Sequence, residues 1–406
     1  MQRFVEALDR PDRAFPVIHL AGTNGKGSTA AMLEQIFRSA GYKTGLFTSP
    51  HLVYLGERIQ VNRVPISPNQ ITTLIKGLDI VAKRIAAEDE GNHPTFFEFM
   101  AAMAMVHFKN EQVDVAIIET GLGGRLDATN VVDPKVAVIT SIGLDHTEIL
   151  GETVEEIAGE KAGIIKQGRT VIMGRVPEFG AKVIEKAAAE KCAPVISVEA
   201  HYGPAIENYP KTSLHGTFQR WNAATALMTC KYLADSFPGI EEVSESALQQ
   251  VEWAGRWQTI ELPCGRTLIL DATHNPEGSR FLDENLEHLE SELGSKPWIV
   301  AGTLGSVRAQ SLVPVASRHA KGLYLLEPAQ PRSASFEELR KHLSEDSTLV
   351  VEDSQIDKLF PGEGICTVGD PGETIVVTGS IYLLGEVLER ITKHDVETGA
   401  SLQDLI

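Results

Sequence analysis

The run Gly22-Thr23-Asn24-Gly25-Lys26-Gly27-Ser28 is the densest concentration of chemistry-bearing residues in the chain. Glycines let backbone N–H groups wrap a phosphate, a following helix N-terminus favours its charge, Lys26 adds a cation, and the next hydroxyl can approach Mg²⁺. The spacing departs from the common G-x-x-x-x-G-K-[ST] form, because Leu20 stands at the first glycine position and Gly27 separates Lys26 from Ser28. The plainer reading, a glycine-rich turn with an exposed lysine, is disfavoured by the apolar strand pattern before it and the amphipathic helix pattern after it.

Three later segments offer what such a loop lacks. Thr48-Ser49-Pro50-His51, Glu119-Thr120-Gly121-Leu122-Gly123-Gly124-Arg125 and Gly143-Leu144-Asp145-His146 close the second, third and fourth predicted strands. Carboxyl ends of parallel strands are where open α/β sheets place ligands. A hydroxyl, a carboxylate and an imidazole gathered beside a triphosphate can hold one or two Mg²⁺ ions, which take few protein ligands. Taken singly, His146 reads as a satisfied structural histidine and Glu119 as a helix-terminus charge. Their shared position relative to the sheet favours a site.

The elements that must position these groups follow from periodicity. Short apolar, β-branched runs at 17–21, 44–47, 113–119, 136–141, 170–173 and 194–198 alternate with helical patterns at 30–37, 96–108 and 183–188. Thr153-Val154-Glu155-Glu156 has capping-box spacing, so a helix opens there and carries Lys161. Residues 199–217 read as a polar loop, and a long helix follows over 220–233. After Gly255 the alternation restarts, with strands at 267–270, 298–302, 322–326, 348–351 and 374–377 and helices at 278–289, 336–343 and 381–391. The fold class is therefore α/β in two domains: an N-terminal P-loop mononucleotide-binding parallel sheet over 1–254, a linker at 255–257, and a smaller Rossmann-like α/β domain over 258–406.

Composition narrows the function classes. The chain has 406 residues and a net charge of -18, which excludes a sequence-independent grip on nucleic acid or on an anionic membrane. The four cysteines lie far apart with no C-x-x-C pair, so neither a disulfide framework nor a thiolate zinc site is indicated. No apolar run approaches the roughly 18 residues of a membrane span. A cytoplasmic protein is the expectation.

The runs AGTNGKGST (21–29), TSPHL (48–52), ETGLGGRLDATN (119–130), LDHT (144–147), EKAGIIK (160–166) and DATHNP (271–276), with the late Val377-Thr378-Gly379-Ser380, resemble the folylpolyglutamate synthase and dihydrofolate synthase family of Mur-type ligases. The resemblance covers nearly the whole chain and implies a monomer whose partners are small molecules. It implies ATP-driven joining of L-glutamate to dihydropteroate or a reduced folate through an acyl phosphate. It further implies that Thr23, Asn24, Gly25, Lys26, Gly27 and Ser28 hold the ATP phosphates, that Ser49, Glu119 and His146 are ligands of two Mg²⁺ ions, and that Lys161 is a carbamylated lysine serving as a further metal ligand. Lys26, His146 and Lys161 are the residues it marks as catalytic. Asn222, Arg256, Asp271 and His274 match its nucleotide contacts. Thr95, Phe96, Phe97, Glu98, Leu126, Asp127 and Ala128 match segments lining its dihydropteroate pocket, and at helical spacing one of the two phenylalanines belongs to the core. Trp253 and Trp257 read equally as packing residues or as ligand contacts.

Three departures stand out. The family carries a further helix and glycine loop before the phosphate-loop strand, so either Met1 is an internal start or the pterin site is incomplete. Ala301-Gly302-Thr303-Leu304-Gly305-Ser306-Val307 replaces an Asp-Lys-Asp cluster, and the stretch 198–216 is shorter than the family's hairpin. Two alternatives remain beside the folate-type ligase: another Mur-type peptide ligase, and a non-catalytic nucleotide-binding relative.

Overall fold

The protein is described from a computed structural model, which covers residues 1–87, 90–273, 275–343 and 348–392. These fall into two compact units, one of 1–213 and 218–252, the other of 214–217 and the described residues from 253 onward.

The first unit is built on a sheet of β1 (Val17–Ala21), β2 (Thr44–Phe47), β3 (Ile59–Val61), β4 (Val64–Pro65), β5 (Val115–Glu119), β6 (Val136–Ser141), β7 (Val171–Arg175) and β8 (Val195–Ser197), in spatial order β4-β3-β2-β5-β1-β6-β7-β8. The six strands from β2 to β8 in that order run parallel, and β3 and β4 add an antiparallel hairpin at one edge. The central strands β1 and β5 are buried at every residue, as expected where helices cover both faces. One face packs on Phe4, Phe47, Met100, Met103 and Phe108, the other on Ile139, Ile157, Ile164 and Ile184.

The second unit carries β9 (Gln258–Glu261), β10 (Thr267–Ala272), β11 (Trp298–Gly302), β12 (Gly322–Leu325), β13 (Val351–Asp353) and β14 (Thr374–Gly379), ordered β13-β12-β11-β14-β10-β9 with only β9 antiparallel among the described strands. Trp257, 8 % exposed, belongs to its core with Leu282, Leu286, Ile299 and Val376, so this linker tryptophan is a packing residue.

The expected central strands form within two residues of their sequence-read limits. Elsewhere the structure corrects the reading. The polar loop expected at 199–217 contains a helix, Val198–Tyr202, capped by Ser197, and a 3₁₀ turn, Ile206–Asn208, held by stacking of Tyr202 on Tyr209 at 5.1 Å. The hairpin β3–β4 went unread because its turn is Asn62-Arg63, both at positive φ, instead of the usual Asn-Gly. Pro314 hid the helix Ser306–His319, which the structure continues through it. Among the described residues no helix is long and apolar enough to cross a membrane.

Candidate active site

The loop after β1 is shaped by the end of β6. Thr23 N–H donates to the Ser141 carbonyl at 2.9 Å, its hydroxyl bonds the Gly143 backbone, and Thr140 and Ser141 hydroxyls both donate to the Asn24 carbonyl at 2.7 and 3.0 Å. Gly25 is the cap of the helix Lys26–Ser39 at φ +83°, the left-handed region that an L side chain enters at a cost. A methyl there would stand 2.2 Å from Asn222 Oδ1. Asn222 thus meets the loop from the helix Thr217–Leu233. Its amide donates to Gln219, and Gln219 in turn to the buried Ser28 hydroxyl at 3.3 Å. Gly27 follows Lys26 in the helix's first turn.

Two lysines converge on one carbonyl. Lys26 Nζ and Lys161 Nζ each donate to Gly22 O at 2.8 Å. Lys161 is 4 % exposed on the helix Val154–Ala162, whose Thr153 capping box forms as expected. Burial first, and the Lys26 ammonium second, lower the Lys161 amine to about 7, while Asp145 and Asp127 pull the other way. The end of that helix packs on the loop after β5, where a methyl on Gly163 would sit 2.3 Å from Arg125 Cα.

Glu119 ends β5 at 4 % exposure, and its carboxylate accepts the Ser49 N–H at 3.3 Å, which brings together two of the expected metal ligands. His146 sits at φ +49° on the loop after β6, half-exposed, with Nε2 3.9 Å from Asp145 Oδ1. Among the described residues no three His, Cys, Asp or Glu side chains form a metal-holding group, so any cation here depends on hydroxyl and lysine-derived ligands too.

The segments matched to a pterin pocket divide. Thr95 and Glu98 form the capping box of the helix Phe96–Asn110. Phe97 packs on Phe47 at 5.9 Å, while Phe96 is 39 % exposed beneath the Arg58 guanidinium at 5.7 Å. Phe97 is therefore the core member of the pair. Leu126 is 79 % exposed and Ala128 buried. Asp127 organises its own loop: Oδ2 accepts from Gly121 and Leu122 N–H, both at 2.9 Å, and Oδ1 from Thr129. Burial raises its carboxyl above the ordinary range despite these bonds.

Residues 20–217 match the Mur ligase middle domain model. The dihydrofolate synthase/folylpolyglutamate synthase of Bacillus subtilis is 33% identical over 96% of this chain and 94% of its own. The chain belongs to the dihydrofolate synthase/folylpolyglutamate synthase family. Among solved structures of that family, E. coli FolC in complex with DHPP and ADP superposes with TM-score 0.79 at 30% identity, covering 96% of this chain and 91% of that one. A bifunctional folylpolyglutamate synthase/dihydrofolate synthase with Mn, AMPPNP and L-glutamate bound gives TM-score 0.80 at 30% identity, covering 95% and 92%.

In the second unit of this family member, Arg256 donates to the Ala272 carbonyl, and Asp271, 6 % exposed, accepts from Trp257 N–H at 3.0 Å and from the Thr273 hydroxyl at 2.9 Å. Burial raises the Asp271 carboxyl, opposed by Arg256. His274 lies outside the described residues. The segment replacing the Asp-Lys-Asp cluster runs from β11 through a bridge between Leu304 and Ser333 into the helix Ser306–His319.

Sequence reasoning missed Arg58, His19, Thr140 and Ser141. Arg58 is 1 % exposed and its Nε–H donates to His51 Nδ1 at 2.9 Å, joining the 48–51 loop to the Phe96 face. An arginine in a stretch with no other basic neighbour before Arg63 gave no motif signal.

Proposed function

We propose that this chain joins the amine of L-glutamate to the carboxylate of a pterin-bearing acid, dihydropteroate or a reduced folate, at the expense of ATP. The observation that carries the reading is the phosphate loop itself: a left-handed Gly25 opening the helix Lys26–Ser39, with Lys26 and buried Lys161 both drawn to Gly22 O. The bound ligands named for the neighbouring structures, a nucleotide with L-glutamate and Mn in one and DHPP with ADP in the other, support the same assignment.

A carboxylate is a poor acylating agent. Transfer of the ATP γ-phosphoryl group to its oxygen gives an acyl phosphate and ADP; the glutamate amine then attacks the acyl carbon, phosphate leaves and a proton is lost. Catalysis of such transfers is chiefly positioning and charge neutralisation. In this reading the backbone N–H groups of residues 23–28 and the Lys26 ammonium cradle the phosphates, and Asn222 bounds the loop. Phe96 offers a flat apolar face to the heteroaromatic ring.

The donor set at the strand ends fits Mg²⁺. The Glu119 carboxylate and the hydroxyl of Ser49, whose backbone N–H bonds that carboxylate, are hard oxygen donors, and Mg²⁺ completes its shell with water and phosphate. We assign Ser49, Glu119, His146 and a carbamylated Lys161 to it. When bound, the cation neutralises phosphate charge and polarises phosphoryl oxygen. Carbamylation needs a neutral amine, which the lowered Lys161 value supports. It also replaces a cation that would repel Mg²⁺ with an anionic oxygen ligand.

The test is ADP release by the purified chain with Mg·ATP and L-glutamate, given dihydropteroate in one reaction and tetrahydrofolate in another. Turnover with either acid, abolished in Lys161→Ala, is expected. ATP binding without turnover on both would overturn the ligase assignment. Full activity of Lys161→Ala would overturn the carbamate.

A further inference from the structure

All four cysteines are free thiols, and two that are distant in sequence meet in the second unit. Cys264 occupies the turn between β9 and β10, closed by Gly265 N–H on the Leu262 carbonyl at 2.8 Å. Cys366 lies in the loop that leads to β14. Several contacts seat that loop on that turn. The Arg266 guanidinium donates to the carbonyls of Val368 at 2.9 Å and Gly369 at 2.7 Å, and Gly372 N–H donates to the Gly265 carbonyl at 2.7 Å. A methyl on Gly364 would stand 2.8 Å from Pro263 Cδ, so the two segments touch through backbone and ring. Inside this contact the Cys366 backbone N–H lies on the Cys264 side and favours its thiolate. The contacts on either side, Pro263 against Gly364 and Arg266 against Val368 and Gly369, place Cys264 and Cys366 on facing segments, and a disulfide requires such close approach of its two Cα atoms.

The two thiols are chemically unequal. Burial acts to raise Cys264, but the Cys366 N–H and then the Arg266 side chain and N–H outweigh it and bring the thiol below its ordinary value. Cys264 is half-exposed, and a stabilised thiolate open to solvent is the reactive form of cysteine. Cys366 is 2 % exposed, and burial pushes its thiol up. The first suits a thiol that meets the oxidant, the second a thiol that resolves it.

We propose that Cys264 and Cys366 form a reversible disulfide, a modification site whose reactant is hydrogen peroxide. The Cys264 thiolate attacks one peroxide oxygen; the O–O bond breaks, the leaving hydroxide takes a proton as water, and Cys264 becomes a sulfenic acid. The Cys366 sulfur then attacks the sulfenic sulfur, the S–O bond breaks, and hydroxide leaves with the Cys366 proton as a second water. Two thiols lose two electrons and the peroxide gains them. A dithiol reductant reverses the step by exchange.

The bond falls where the chain enters β10 and β14, which pair in register from Thr267 with Thr374 up to Ala272 with Gly379. Asp271 stands at the far end of the same strands. Oxidation therefore ties the entry edge of the sheet, closes the long segment between the two cysteines, and acts on stability. The inference does not depend on the ligase assignment.

The full-length chain, reduced and then exposed to a small excess of hydrogen peroxide near neutral pH, is alkylated and digested without reductant for peptide mass mapping. The expected result is one linked peptide pair containing Cys264 and Cys366, with Cys192 and Cys230 recovered unlinked. The melting midpoint rises by about 5–10 °C and falls back on adding dithiothreitol. Cys264→Ser and Cys366→Ala each remove the linked pair. The wild-type map decides the matter even if a variant fails to fold. Recovery of Cys264 and Cys366 in separate peptides, as thiols or over-oxidised acids, overturns the proposal, as does a link made through Cys192.

Discussion

His19, in the middle of β1, donates through Nε2 to Thr129 Oγ1 at 2.8 Å, and the Thr129 hydroxyl donates in turn to Asp127 Oδ1. The relay ties the central strand to the loop that follows β5, because Asp127 in turn gathers the N–H groups of Gly121 and Leu122. Since the Thr129 hydroxyl directs its one hydrogen at the carboxylate, His19 must be the donor in its own bond, which places the single imidazole proton on Nε2.

This relay makes the protein acid-sensitive. Burial, and then the charge of Lys166, lower His19 from 6.5 to about 3. The unfolded chain binds the proton that the folded one refuses, so the contribution to stability is complete above about pH 6.5 and is lost as pH falls toward 3. At about 1.4 kcal/mol per unit, the loss reaches roughly 5 kcal/mol at the acid end. His19→Gln keeps a donor to Thr129 without titrating. Urea midpoints at pH 7 and pH 4.5 are expected to differ much less in the variant than in the parent, and equal acid losses in both would refute the relay's role.

Gly25→Ala tests the phosphate loop. The substitution meets two penalties, a left-handed φ of +83° and a methyl 2.2 Å from Asn222 Oδ1. Backbone strain of about 1–3 kcal/mol corresponds to a fall of about 5- to 150-fold in nucleotide affinity. Calorimetric titration with an ATP analogue reads this directly. Thermal unfolding of the free protein is expected to move much less, because the loop can relax when no phosphate fixes it. Unchanged affinity would remove Gly25 from the site.

Phe96 and Phe97 are neighbours with different duties. Phe97→Ala empties a space against Phe47 and is expected to cost about 3 kcal/mol of stability. Phe96→Ala removes an exposed ring and is expected to leave the melting temperature nearly unchanged while raising KM for the pterin-bearing acid and leaving KM for ATP alone. The reverse pattern would exchange their assignments.

How much of this was legible beforehand depended on locality. β1, β5 and β6 are buried runs of β-branched and aliphatic residues, and the Thr153 and Thr95 helix starts are capping boxes, so each declares itself within a few residues. The phosphate loop was legible for the same reason. What stayed hidden required partners far along the chain. Asp127 is an exception, since its partners Gly121, Leu122 and Thr129 are all near in sequence and only the absence of a motif concealed the loop they organise. Nothing in residues 58–61 tells that Arg58 will be buried under Phe96, and nothing near Cys264 points to Cys366.

Arg58→Lys brings these threads to one measurement. The guanidinium Nε–H can only donate, so His51 Nδ1 must accept and the ring carries its proton on Nε2. The same guanidinium lies over the Phe96 ring, so one buried side chain fixes both the proton position of the imidazole in the Thr48–His51 loop and the face offered to a heteroaromatic ring. Lysine preserves the charge but has neither the Nε–H at that position nor the planar group that stacks. The expected outcome is a rise in KM for the pterin-bearing acid of about tenfold, about 1.4 kcal/mol, with KM for ATP unchanged. A merely structural arginine would lower both activities together with the melting temperature. An equal shift in the two KM values, or none in either, would therefore sink the positioning role even if the variant were less stable.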